Sequence, residues 1–297
     1  MDLHEIFENF LAAENLHEKK ILVAASGGVD SRVLLEIAAE KVAKKNLAVF
    51  HFDHNFRENS QRDAEFVEKI CAEKKIFFFK KKLEEKFAKN LEKNWRIARK
   101  NAAEKVAKNF GATKILTAHH ATDLVETMIF RFAKGTGIPN LAPFDISKKP
   151  FWHVPKSEIE KFARENFLKF RADPSNENLR FSRNLIRAKI LPPLRKITPN
   201  LEKIFVKNFW NFFYCGEFLK NELEKILPKK NFLLLEKFLD FPEILQSEFL
   251  RQISKKIPSS AEIFDAKKWL KNSPAGNSEK FCGGTKLKIS QKKIFWN

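Results

Sequence analysis

The chain has 297 residues, with 56 Lys and Arg against 37 Asp and Glu, a formal charge of +19. Its 43% hydrophobic and 31% charged residues exclude a disordered chain, and no apolar run reaches the roughly 18 residues of a membrane-spanning helix. Three scattered cysteines (Cys71, Cys215, Cys282) exclude a disulfide framework and any CxxC metal or redox site. The opening residues lack the basic and apolar pattern of a secretory signal, so a reducing, cytoplasmic location without membrane attachment is expected.

Four short apolar runs, at 21–25, 47–52, 76–79 and 114–118, read as buried strands. Each is followed by helical periodicity: Val33, Leu34, Ile37, Ala38 and Val42; then Phe66, Val67 and Ile70; then Val125, Ile129 and Phe130. A polar insertion, 80–94, separates the third strand from its helix. Strands alternating with helices predict an α/β fold with a doubly wound parallel sheet. Beyond residue 145 the pattern turns helical, at 156–169 and 201–226, then at 243–255 and 261–271. A small hairpin, 286–290 with 294–296, closes the chain. The Phe stripe of 201–226 reads as core packing. The organisation expected is a nucleotide-binding domain at 1–145, a basic helical extension at 146–208 and a small α+β C-terminal domain at 209–297.

The charge is uneven along the chain. Residues 1–150 have a net charge of +6, 151–200 also +6, 201–250 −1, and 251–297 +8. A uniform Lys bias would not leave a neutral gap, so the two basic stretches point to a polyanion, nucleic acid first. The first stretch is rich in Arg, which grips phosphate bidentately.

The strongest motif is Ser26-Gly27-Gly28-Val29-Asp30-Ser31, between the first strand and the first helix. A glycine pair lets backbone N–H groups approach a polyphosphate, and a helix N-terminus adds free donors and partial positive charge. It is neither a Walker A loop nor GxGxxG. Asp30 beside a polyphosphate implies a bridging Mg²⁺. Two further segments end strands: His51 to Arg57, with Asp53 and His54, and Ala118 to Thr127, with His119, His120, Asp123 and Glu126. In a parallel sheet all three segments meet at one edge, the usual ligand side of such folds. A zinc cluster of His51, His54, His119 and His120 is the alternative, but it leaves the glycine loop unexplained. Arg96 with Arg99, and Arg183 with Arg187 four residues on, align basic groups that can hold RNA phosphate.

These strings resemble the tRNA(Ile)-lysidine synthases of the PP-loop ATP pyrophosphatase superfamily. Residues 26–31 match SGGxDS, and 51–57 resemble HVDHxLR. His120, Asp123, Glu126 and Thr127 match HxxDxxET. Asn90, Leu91, Glu92, Arg96 and Arg99 fit NLExxxRxxRY, with Lys100 for Tyr. Lys149 stands where RPLL has Arg, and Asn140 replaces a Gly. The 173–176 DPSN and the 183–192 RNxIRxxxLP pair narrow the match to this family.

The resemblance implies that free L-lysine is ligated to C2 of the wobble cytidine of tRNA(Ile) with a CAU anticodon, at the expense of ATP. It assigns catalysis to Asp30, His120, Asp123 and Glu126, and ATP to Ser26, Gly27, Gly28, Val29, Asp30, Ser31, Asp53 and His54. The tRNA or lysine would be held by Arg57, Arg96, Arg99, Asn176, Arg183, Asn184 and Arg187, with the C-terminal domain at 209–297 also binding tRNA, and Mg²⁺ would be held by Asp30 and Asp123. Homodimerisation is left open. The principal rival is a PP-loop tRNA thiolase, against which the absence of any motif cysteine counts. A metal phosphohydrolase and an inactive tRNA-binding module stand further off.

Overall fold

The computed structural model describes residues 1–53, 60–83, 91–171, 182–227, 231–272 and 278–297. The chain forms two compact units, one of residues 1–126 with 144–203 and the other of 127–143 with 204–297. This division differs from the expected three domains. The basic segment 146–203 belongs to the first unit, and 127–143 belongs with the C-terminal residues.

The first unit opens with α1 (Leu3–Ala13), capped by Asp2, whose carboxylate accepts the N–H groups of His4 and Glu5. Then β1 (Ile21–Ala24), α2 (Val29–Lys41), β2 (Leu47–Asp53), α3 (Ser60–Lys74), β3 (Phe77–Lys82), α4 (Leu91–Phe110), β4 (Lys114–Thr117) and α5 (Ala121–Ala133) alternate. The four strands pair in parallel in the order β3-β2-β1-β4, with Ile21 beside both Leu47 and Lys114. Alternate strand residues serve opposite faces. Ile21, Val23, Leu47 and Val49 pack against Phe7, Leu34, Ile37, Val67 and Ile159, while Leu22, Ala48, Phe50 and Phe52 pack against Ala103 and Ala107 of α4. The doubly wound sheet is therefore as expected.

Three details differ from the sequence reading. At the sheet edge β3 is half-buried or exposed throughout, not a buried strand. The 80–94 segment is not one excursion, because Lys80–Lys82 continue β3 and 91–94 already belong to α4. The helix expected at 156–169 is α6 (Lys156–Glu165), ended by Asn166. After 171 the described chain resumes with α7 (Ser182–Leu185), a five-residue π-helical turn over Ile186–Ile190, and α8 (Leu191–Ile197).

The second unit contains most of α9 (Leu201–Ile226), followed by β5 (Phe232–Leu234), α10 (Leu235–Leu239), α11 (Glu243–Ile253), α12 (Ser260–Asn272), β6 (Ser278–Cys282), β7 (Thr285–Ser290) and β8 (Lys293–Trp296). Its antiparallel sheet runs β5-β8-β7-β6. The core gathers Leu233, Leu287, Ile289 and Ile294 against Phe238, Phe249 and Ile263. The Phe stripe of α9 is only partly core. Leu201 and Phe209 are buried, but Ile204 and Phe213 of the same stripe are exposed. Among the described residues no helix is long and apolar enough to cross a membrane.

Candidate active site

The sheet order reverses beside β1, since the chain winds outward to β2 and β3 and then returns to place β4 on the other side. That switch point opens a crevice at the carboxyl ends of β1 and β4, where open α/β sheets bind ligands. The loop after β1 and the His119–His120 segment after β4 both enter it.

Residues 26–31 form a self-supported loop. Gly27 takes φ +91°, a left-handed conformation that a side chain would strain. The buried Ser31 hydroxyl accepts N–H bonds from Ser26 at 3.1 Å and Gly27 at 3.2 Å, and donates to the Gly28 carbonyl at 3.1 Å. Gly28 is the extended N-cap of α2, and the Arg32 N–H is the one that bonds back to the Gly28 carbonyl. The earlier N–H groups of Val29, Asp30 and Ser31 thus sit in the first turn, where a helix offers donors to an anion. From outside the loop, the Arg171 N–H reaches the Gly27 carbonyl at 2.9 Å, and Arg171 Nε is 2.9 Å from Asp63.

Across the crevice, His120 is the N-cap of α5 and Asp123 its third residue. The His120 N–H donates to Asp123 Oδ2 at 3.1 Å, and the Asp123 N–H approaches His120 Nδ1 at 3.4 Å, a reciprocal cap. In the tautomer accepting at Nδ1, the Nε2 hydrogen faces two carboxylates, Asp30 Oδ1 and Asp123 Oδ2, each 3.6 Å away. Burial of His120 lowers its pKa, but those carboxylates outweigh burial and raise it above the ordinary value. Burial pushes the Asp30 carboxyl up, and His120, Lys156 and Arg187 bring it net below the usual range. Asp30 Oδ1 is buried and, apart from His120 Nε2 at 3.6 Å, has no hydrogen-bond partner among the described residues, which leaves it able to accept a cation. No group of three His, Cys, Asp or Glu side chains gathers as a metal cage among the described residues. Asp30 and Asp123 are hard oxygen donors that suit Mg²⁺, an ion that takes few of its ligands from protein.

Behind this pair lies the buried Glu126. Arg187, on the π-helical turn, donates to it bidentately, Nε to Oε1 at 2.6 Å and Nη2 to Oε2 at 3.1 Å. Arg187 Nη2 also stands 3.7 Å from Asp123 Oδ1. Burial raises the Glu126 carboxyl despite Arg187. A second tie holds the same segment to α5, because Glu202 accepts from Thr122 at 3.3 Å and from Arg195 at 3.2 Å.

A basic group surrounds the mouth. His119 Nδ1 contacts Thr117 Oγ1 at 2.9 Å, and its ring meets Phe144 edge-on. Burial, against the pull of Asp123 and helped by Lys149, Arg183 and Arg99, brings its pKa down to about 4, so it is neutral near pH 7. Lys149 lies over Phe144, 5.1 Å from the ring centroid, and bonds the Asp145 carbonyl. Arg99 feels both Arg96 and Arg183.

The expected Asp30, His120, Asp123, Glu126, Arg187, Arg99 and Arg183 are thus brought together. Asn184 adjoins Arg183 on α7. Asp53 is buried at the end of β2, two residues beyond His51, whose Nδ1 is 2.9 Å from the Ala25 carbonyl. His54, Arg57 and Asn176 lie outside the described residues. Motif reading left Lys149, Lys156, His119 and Arg171 without roles, although Lys149 stood out as a replacement for Arg.

The PP-loop domain family matches residues 2–194. Among curated proteins, the chain is 36% identical over 193 residues to the tRNA(Ile)-lysidine synthase of Thermotoga maritima, covering 61% of this chain and 47% of that one. It is 34% identical over 244 residues to the Thermosipho africanus tRNA(Ile)-lysidine synthase, covering 75% and 55%. The chain spans about half the length of the curated relatives it matches. Among solved structures, the U34-tRNA thiolase NcsA from Methanococcus maripaludis is similar in fold, with TM-score 0.59 and 16% identity over 71% of this chain and 78% of that one. The self-braced glycine loop, seated at the switch point of a parallel sheet and matched over almost two hundred residues, places this chain in the PP-loop family.

Proposed function

We propose that the protein is a tRNA(Ile)-lysidine synthase, which uses ATP to ligate free L-lysine to C2 of the wobble cytidine in a CAU anticodon. The observation that carries this reading is the convergence of the 26–31 loop, the Asp30–His120–Asp123 group and Arg187 in one crevice. The names of the matched relatives support the substrate.

In the first step the C2 oxygen of cytidine attacks the α-phosphorus of ATP, and pyrophosphate leaves. The first-turn N–H groups of α2 and the Gly27–Gly28 backbone stabilise the charge on the departing pyrophosphate. Bound Mg²⁺, held by Asp30 and Asp123 with the phosphates, would supply further charge neutralisation. In the second step the ε-amine of lysine attacks C2 and AMP departs. Only the neutral amine is a nucleophile, so its proton must pass to a base. Asp123 is the candidate, since His120 is already engaged at both ring nitrogens, Nδ1 by the Asp123 N–H and Nε2 by the Asp30 and Asp123 carboxylates. Glu126, occupied on both oxygens, acts by orienting Arg187. Arg96, Arg99, Lys149 and Arg183 form the cationic mouth for the RNA backbone or the lysine carboxylate.

A thiolase reading shares the fold but lacks its nucleophile. Cys71, the one cysteine of the unit carrying the loop, is buried in the apolar core with its thiol pushed up to about 12. Pyrophosphate release from ATP tests the proposal. Sustained turnover to AMP and pyrophosphate should require lysine and the CAU tRNA together, since without lysine the first step can release at most one pyrophosphate per bound tRNA, and Asp30→Asn should abolish it while tRNA binding persists. Release with neither lysine nor tRNA would refute the proposal.

A further inference from the structure

Strand β3 forms one edge of the parallel sheet, and no strand pairs with its outer side among the described residues. An unpaired edge is a template for a further strand unless charge or a bulge blunts it. Lys80, Lys81 and Lys82 supply charge at one end, but the other end is Phe77-Phe78-Phe79, and Phe77 is 54% exposed. Alternation turns Phe77, Phe79, Lys81 and Leu83 toward α4. The Phe77 and Phe79 rings accordingly lie 5.5 and 6.1 Å from the Phe110 ring. Two cavities open along this line. One, of about 560 Å³, is walled by Phe77, Phe79 and Phe110 and flanked by the exposed Lys20 and Lys45. Lys20 is fixed there by the Phe110 carbonyl, 3.2 Å from its Nζ. The other, of about 440 Å³, has Phe52, Leu83 and Ile97 in its wall with Lys81, Lys82 and Lys105 beside them. Both volumes suit a bound side chain or small ligand. The cavities meet β3 at Phe77 and at Lys81, four residues or roughly 13 Å apart, the spacing of two side chains on one face of an added strand. Residues 1–150 hold 27 basic and 21 acidic side chains. The two cavities nevertheless have five Lys and no carboxylate among their described lining residues, so they do not simply sample a Lys-rich background. A chain of charge +19 disfavours a second copy at this edge and favours an acidic segment. Nucleic acid would also meet the lysines, but its backbone cannot hydrogen-bond in register with the N–H and C=O groups of a strand, as an extended peptide does.

We propose that the channel between β3 and α4 is a docking site for an extended acidic segment of a partner protein. The segment adds to β3 as a fifth strand, sets two apolar side chains in the cavities and places its carboxylates on the flanking lysines. The probe is a fluorescein-labelled peptide of ten residues alternating Leu and Glu. Its controls are the same peptide with Lys for Glu, the same peptide N-methylated at alternate residues so that it cannot pair with a strand, and a single-stranded RNA of ten nucleotides. Fluorescence polarisation with the full chain should show the acidic peptide binding about 10-fold or more tightly than either control peptide. Phe77→Ala and Lys105→Glu, both at exposed positions, should each weaken it about 5-fold or more without lowering the melting temperature. On the unaltered protein the peptide should slow amide hydrogen exchange in 77–82. Equal binding of the N-methylated or the basic peptide would overturn the proposal, as would unchanged affinity in both variants. The RNA binding as tightly as the acidic peptide, with the same losses in both variants, would assign the channel to nucleic acid instead. A dimer that dissociates in Phe77→Ala would assign the edge to a second copy of the chain, and the proposal would fail.

Discussion

Glu126 and Arg187 are 61 residues apart in the chain and meet in a bidentate pair, in which a nearly inaccessible carboxylate is held by a guanidinium from the π-helical turn. Removing one member leaves the other charge without compensation in a low-dielectric site. Arg187→Leu should cost about 3 kcal/mol, the lower end for buried pairs because Arg187 is partly exposed. The double variant Glu126→Leu with Arg187→Leu should be more stable than Arg187→Leu alone. Urea denaturation of the three proteins checks this ordering.

Ser31 makes a second prediction. Its hydroxyl closes the loop over two N–H groups, the buried one of Gly27 and the part-buried one of Ser26. Ser31→Ala should destabilise the protein by about 1–3 kcal/mol by stranding those donors. It should also reduce the rise in melting temperature produced by saturating ATP, because a slack loop no longer aligns its N–H groups on phosphate. Differential scanning fluorimetry with and without ATP reads both effects.

His119 links stability to acid. Burial, with the charges of Lys149, Arg183 and Arg99 overcoming Asp123, holds its folded pKa at about 4, below the unfolded value near 6.5. Its contribution is therefore complete above the unfolded value and is lost as pH falls from 6.5 toward 4, where only the unfolded chain takes up the proton. Between pH 7 and pH 5 this amounts to about 1–2 kcal/mol. His119→Asn should lose less stability than wild type over that interval, as measured by urea midpoints at the two pH values.

The three thiols should separate cleanly. Cys215 is exposed, whereas Cys71 and Cys282 are buried and burial raises both thiols. An aromatic disulfide reagent should modify one thiol rapidly in the native protein and the other two only after denaturant is added. Rapid modification of Cys71 would contradict the packing of α3.

The parallel sheet was legible because its strands are short apolar runs that alternate with segments of helical period, and 201–226 because its apolar residues recur with that same period. What escaped were features set by distant partners. The 183–187 spacing suggested two arginines aligned on one helical turn. The π-helical turn alters that geometry, and Arg187 spends its guanidinium on Glu126, a pairing that no local pattern encodes. Similarly, Asp123 reads as a catalytic carboxylate in sequence, yet it is also the capping partner of His120. Strands β5 and β6 went unread because Phe232–Leu234 is only three residues long and Ser278–Cys282 is largely polar. The exposed side of α9 was misread as core because periodicity shows which residues share a face but not what covers it.

The transfer of lysine to RNA tests the account most directly. Radiolabelled L-lysine, ATP and a tRNA(Ile) transcript with a CAU anticodon are incubated with the protein, and acid-precipitable label is counted. Label is expected in that tRNA, dependent on ATP and absent when the wobble cytidine is replaced by uridine. Absence of label in the CAU tRNA, together with sulfur transfer or ATP hydrolysis indifferent to lysine, would contradict it.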